Sequence, residues 1–225
     1  MIRKGVMRLL SIVLLFAMVM SCGITKAYAA TPMVITNFRH GTGVTATIND
    51  SNIKNEITRV PLFNQGDYPS VPYGSYGTIA SHGCGITSVA MVATYMKNEF
   101  YSPVDLAKRF GHYNTPNGSY WTLFKNTAEI LGIPFQEQTS SWAKAEKALE
   151  NGQIVVSLQS GGIFTNGGHF IVLTGITDDG RVMVNDPNGH NWAKNAEMVE
   201  GFANGFTPGQ ITANGGPYWI YGVKE

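Results

Sequence analysis

Apolar and polar positions along the chain fall into two regimes, helical spacing first and short apolar runs afterwards. Residues 81–98 read as a buried helix. Ala90, Met91, Ala93 and Met96 are small or flexible, and the β-branched Ile86, Thr87, Val89, Val92 and Thr94 weaken a helix only slightly. Ser102 is placed to cap a second helix with Pro103 at its first position, stopped by Gly111. Residues 121–131 form a third, with Gly132 as its stop and Pro134 beyond it. Ser140 or Ser141 caps a fourth over 142–150, and residues 134–138 fit a short strand. From residue 153 the pattern changes. Runs at 153–158, 170–176, 182–185 and 218–223 read as strands, with Asp178-Asp179-Gly180 as a hairpin turn. Helices first and an antiparallel sheet second predict an α+β fold.

The N-terminus reads as an export signal. Arg3, Lys4 and Arg8 precede an apolar run over 9–20 that is short for a bilayer span. Ala27-Tyr28-Ala29 is a small-x-small cleavage site, so residues 1–29 are expected to be removed and the product secreted. Val19-Met20-Ser21-Cys22 resembles a bacterial lipobox. Its use would put lipid on Cys22 and hold the protein on the outer face of the membrane. Residues 30–59 are polar and lack a strong period, apart from a candidate strand at 44–48, and are read as an arm or linker. Residues 60–225 are expected to form one domain.

Charge narrows the function. Sixteen basic and 15 acidic residues leave a net +1 at low density, with no basic footprint for nucleic acid. The glycine-rich loop at 160–168 lacks the spacing and following helix of a phosphate cradle. No apolar run after the signal is long enough to cross a membrane. One thiol and scattered histidines do not make a metal cluster, so neither metal nor other cofactor is expected.

The chemistry centres on Cys84. With Cys22 removed or lipidated, Cys84 is the one free thiol of an exported chain, and such a thiol seldom persists without a use. It lies between Gly83 and Gly85 at the start of the buried helix, where free N–H groups and the positive dipole end favour a thiolate. A thiol nucleophile needs a base, and the base needs a third group to fix its orientation. His169 opens the strongest strand, directly after Gly167-Gly168, and Asp186 ends its hairpin partner. Gln65 can donate to an oxyanion beside the Cys84 N–H. The hairpin constrains this set. A two-residue turn at Asp179-Gly180 would set Asp186 opposite Leu173, about 13 Å along the strand from His169. Pairing of His169 with Asp186 therefore demands a wider loop or a bulge, and the wider loop is expected.

Gln65, the GCGITS run around Cys84, GGHFIVLTGI at His169 and VNDP at Asp186 together resemble the papain-like cysteine peptidases. The similarity is to free-standing members of cysteine peptidase family 39, relatives of the domains that trim bacteriocin leaders. The resemblance covers roughly residues 61–223. It implies a helical half packed on an antiparallel sheet half with the cleft between. It also implies a peptide or protein substrate, with Cys84 as nucleophile, His169 as base, Asp186 as orienter and Gln65 as oxyanion donor. His82, Gly83, Gly167 and Gly168 are expected to line the cleft. His82 is the rival base, awkwardly placed two residues before the thiol. The leader-trimming relatives carry a membrane transporter and an ATPase that this chain lacks, so a double-glycine leader does not follow as substrate. An amidase or transpeptidase acting on cell-wall peptides, and a non-catalytic peptide-binding module, fit the same residues.

Overall fold

A computed structural model describes residues 33–39, 42–48 and 57–223. The export signal, its cleavage site and the lipobox lie outside the described residues. Ahead of the domain, β1 (Met33–Arg39) and β2 (Thr42–Ile48) pair antiparallel, with Met33 opposite Ile48. The candidate strand at 44–48 lies within β2. Its partner β1 gave no period of its own.

The helical half follows. Two short ladders, β3 (Pro72–Tyr73) with β4 (Gly77–Thr78) and β5 (Asn114–Thr115) with β6 (Gly118–Ser119), bracket α1 (Ile79–His82), α2 (Cys84–Lys97) and α3 (Pro103–Phe110). Helix α4 (Thr122–Leu131) completes it. The caps are those the sequence calls for. Ser102 accepts the Val104 N–H, Pro103 holds the first position of α3, and Gly132 ends α4 in the left-handed region at φ 64°. Every residue of α2 from Cys84 to Thr94 is buried, so this helix is enclosed on every side, with Thr87, Ser88 and Thr94 its polar members.

The sheet half contains β7 (Phe135–Thr139), β8 (Ile154–Gln159), β9 (His169–Ile176), β10 (Val182–Asn185) and β11 (Gly215–Tyr221), in the order β10-β9-β8-β11-β7 with every pair antiparallel. Side chains alternate between two cores. Ile154, Val156, Leu158, Phe170, Val172, Trp219 and Tyr221 join the α2 core, while Val155, Ile171, Leu173, Tyr218 and Ile220 face the other way. This is the α+β arrangement expected, with one addition. The outer sheet face is covered by α5 (Trp142–Glu150), α6 (Ala196–Asn204) and α7 (Pro208–Thr212), which supply Ala145, Leu149, Met198, Phe202 and Ile211. The domain is thus helices, sheet, helices. Cover on both faces explains why β8 and β9 read as unbroken apolar runs instead of alternating ones.

Candidate active site

Gly83 is at once the last cap of α1 and the first cap of α2, and its N–H donates to the Ile79 carbonyl at 2.8 Å. A Cβ there would meet that carbonyl oxygen at 2.3 Å, so the tight α1–α2 corner requires glycine. The corner makes Cys84 the first residue of α2. No side chain caps this end, and the N–H groups of the first turn are left open toward the thiol.

Cys84 is 8% exposed. Burial opposes its thiolate, but hydrogen bonding and charge from His169, with backbone bonds from Phe170 and Gly85, outweigh that and hold the thiol below its ordinary range. Burial likewise opposes the His169 cation, yet the Asp186 carboxylate and Cys84 push its pKa up to about 10. Both shifts favour the charged forms, thiolate on Cys84 and imidazolium on His169. His169 Nε2 donates to Asp186 Oδ1 at 2.6 Å, leaving Nδ1 as the ring nitrogen for the sulfur.

The hairpin meets its constraint by both routes. Its loop has three residues, Asp178-Asp179-Gly180, closed by the Thr177 N–H on the Arg181 carbonyl. The register then slips between Met183 and Val184, leaving Thr174 as an extra residue in β9. Val172 pairs with Asn185, and continuing the register sets Asp186 opposite Ile171. His169 is its diagonal neighbour, a separation that two side chains can close. The wider loop expected is present, and the bulge adds the remaining shift.

Asp186 is fully buried, and both of its carboxylate oxygens have donors. Oδ1 also accepts the Asn188 N–H at 2.7 Å, Oδ2 accepts Asn191 Nδ2 at 2.7 Å, and the main-chain carbonyl accepts Trp192 Nε1 at 2.9 Å. Asn191 is anchored in turn on the Phe164 carbonyl. These three holders went unread in the sequence because asparagine and tryptophan in a glycine-rich stretch carry no spacing signal.

Gln65 opens a 3-10 turn over Gln65–Asp67. Its Nε2 donates one hydrogen to the Ala80 carbonyl at 2.7 Å, and the second is uncommitted. The turn is clasped to the Asp186 loop. The Gln65 N–H donates to the Pro187 carbonyl, the Gly189 N–H to Asn64 Oδ1, and Asn185 Nδ2 to the carbonyls of Val60 and Pro61. Of the remaining cleft candidates, half-buried His82 has its ring nitrogens on Ser81 Oγ and the Pro116 carbonyl and adds nothing to the sulfur. Gly83 is buried in its corner, whereas Gly167 and Gly168 are exposed ahead of His169. An open depression of about 500 Å³ between α4 and β7, lined among others by Lys125, Glu129 and Glu137, includes none of these residues.

The geometry offers an activated thiol, a base held by a buried carboxylate, and amide donors in a neighbouring turn. That set is suited to nucleophilic acyl transfer. Residues 57–207 match the sequence profile of the peptidase C39-like family. No sequence among the curated proteins matches the chain. Among solved structures, a candidate C39-like peptidase from Bacillus anthracis aligns at 16% identity and TM-score 0.42, over 75% of this chain and 95% of that one.

Proposed function

The chain belongs to the peptidase C39-like family, and on that premise we propose that it is an exported cysteine peptidase working through Cys84, His169 and Asp186. The observation that carries the reading is the join between Cys84 at the head of α2 and a His169 ring held at 2.6 Å by the buried Asp186.

The Cys84 thiolate attacks the scissile carbonyl carbon, and the carbonyl electrons move onto oxygen. The Cys84 N–H and the free hydrogen of Gln65 Nε2 receive that oxyanion. As the tetrahedral intermediate collapses, the C–N bond breaks and His169 delivers its proton to the leaving amine. A water molecule, deprotonated by His169, then attacks the thioester and releases the acid, and the proton on His169 restores the starting ion pair. Asp186 keeps the imidazole in the required orientation throughout. Export rests on the basic, apolar and small-residue order of residues 1–29.

The test is alkylation of Cys84 by iodoacetamide against pH, read by intact mass in wild type and His169→Ala. A thiol held below its ordinary range stays thiolate as pH falls, so wild type is expected to label fast well below pH 8. His169→Ala should lose that plateau and titrate as an ordinary thiol near pH ~8.5. Identical titrations near pH ~8.5 in both proteins would overturn the activated pair and leave a binding module. With the pair established, Cys84→Ala should abolish hydrolysis of a peptide library.

A further inference from the structure

Tyr73 and Ser119 belong to different short ladders, β3–β4 and β5–β6, and lie 46 residues apart in sequence. Their hydroxyls meet at 2.8 Å in the core, where Tyr73 is wholly buried and Ser119 nearly so. Each strand of the two ladders is two residues long, too short to hold a position alone. Asn114 also joins the ladders, accepting the Tyr76 N–H at 2.8 Å and donating to the Gly118 carbonyl at 3.0 Å.

The hydroxyl pair is set against the head of α2. A Cβ on Gly85 would meet Ser119 Oγ at 2.8 Å and Ser119 Cβ at 3.0 Å. Glycine at 85 therefore lets Ser119 lie on the first helical turn, one residue past the thiol. Tyr73 is within reach of the same place. Burial holds its hydroxyl above the ordinary range, the Ser119 bond opposes this, and the charge of Cys84 adds to it. The titratable group facing Cys84 from the sheet is His169, held by Asp186, and Tyr73 faces it from the helical half.

Two hydroxyls that share one hydrogen bond have a second hydrogen to place. Among the described residues, neither hydroxyl has a further hydrogen-bond partner. An O–H dipole turned toward a thiolate in a dry core favours the anion, because little water screens it.

We propose that Tyr73 and Ser119 are positioning residues for the nucleophile, whose paired hydroxyls seat the first turn of α2 and turn an O–H dipole toward the Cys84 thiolate. The proposal rests on Cys84 as nucleophile, and its failure is distinguishable from the failure of that reading.

The test is the midpoint of Cys84 alkylation by iodoacetamide against pH, read by intact mass, with ultraviolet thiolate absorbance as a second signal. Tyr73→Phe deletes one hydroxyl and keeps the ring. The double variant Tyr73→Phe with Ser119→Ala deletes both, and replacing both partners of a buried pair by apolar groups is nearly neutral for stability, so it is expected to fold. Losing a dipole that favours the anion raises the thiol pKa. The midpoint should rise by about half a pH unit in Tyr73→Phe and about one unit in the double variant, about threefold and about tenfold less thiolate at a given acid pH. Asn114→Ala is the structural control. It loosens the same join without touching the hydroxyls, and should lower the urea-unfolding free energy while leaving the midpoint in place. Midpoints that stay at the wild-type value in both hydroxyl variants, or that move as far in Asn114→Ala, would overturn the positioning role. The shift is a difference between proteins and is read wherever the wild-type midpoint falls. An unactivated nucleophile appears instead as a wild-type midpoint near pH ~8.5.

Discussion

Asp186 shows how closely a single charge is held. Its Oδ1 serves His169 and the Asn188 N–H, and its Oδ2 serves Asn191, all without solvent. Removing Asn191 leaves a buried carboxylate oxygen without its donor, which costs about 1–3 kcal/mol or more. Asn191→Ala should therefore lower the urea-unfolding free energy by about that amount. It should also slow thioester turnover, because the ring that Asp186 steers is less well fixed. An unchanged unfolding curve would mean that Asn191 is not the anchor described. Sequence reading singled out Cys84, His169, Asp186 and Gln65, because each belongs to a residue type that the proposed chemistry demands. It missed Asn188, Asn191 and Trp192, whose work is holding, and holding by amides has no required type or spacing.

At the level of elements, the Gln65 turn and the Asp186 loop behave as one piece. Asn64 Oδ1 accepts both the Gly66 and the Gly189 N–H, at 3.0 Å each. Asn64 thereby sets the turn that carries Gln65, the proposed oxyanion donor, against the loop that carries Asp186. Asn64→Ala is expected to slow acylation by a p-nitrophenyl ester by up to about 10²-fold relative to the iodoacetamide rate. The ester reaction builds an oxyanion and displacement of iodide does not, so equal slowing of both would point to a damaged nucleophile instead. Elements were legible where they announce themselves. Ser102-Pro103, Gly132 and Ser141 bound α3, α4 and α5 as expected. Helices α6 and α7 were not found, since glycine and asparagine dominate their surroundings. A readable signal was nevertheless present at α7, where Thr207 and Gln210 form a capping box around Pro208.

For the whole molecule, the missing helices matter more than their length suggests. They give the sheet its outer cover, so the picture of two halves becomes one of three layers, with the site at the end of the sheet where β9 begins. Fold class was readable because the change from helical spacing to short apolar runs is a property of the whole sequence. The third layer was not, because continuous apolar strands report burial on both faces without naming what lies there. The charges divide in a similar way, most of them on α3, α4, α5 and α6 and the β9–β10 turn, with Asp186 and Asp67 the carboxylates that the site's own segments bring in. A substrate approaching such a surround meets few charged side chains to guide it. Productive encounters then depend on diffusion and orientation alone, at about 10⁵–10⁶ M⁻¹s⁻¹, rather than the 10⁸ or more reached by charge-guided partners. Stopped-flow binding of an uncharged peptide to Cys84→Ala should show an on-rate in that range that barely moves between about 20 mM and about 500 mM salt. A steep fall with salt would reveal a guiding charge that the sequence around the cleft does not contain. The enzyme would then be matched to substrate held close and in quantity, not to rare targets drawn in from afar.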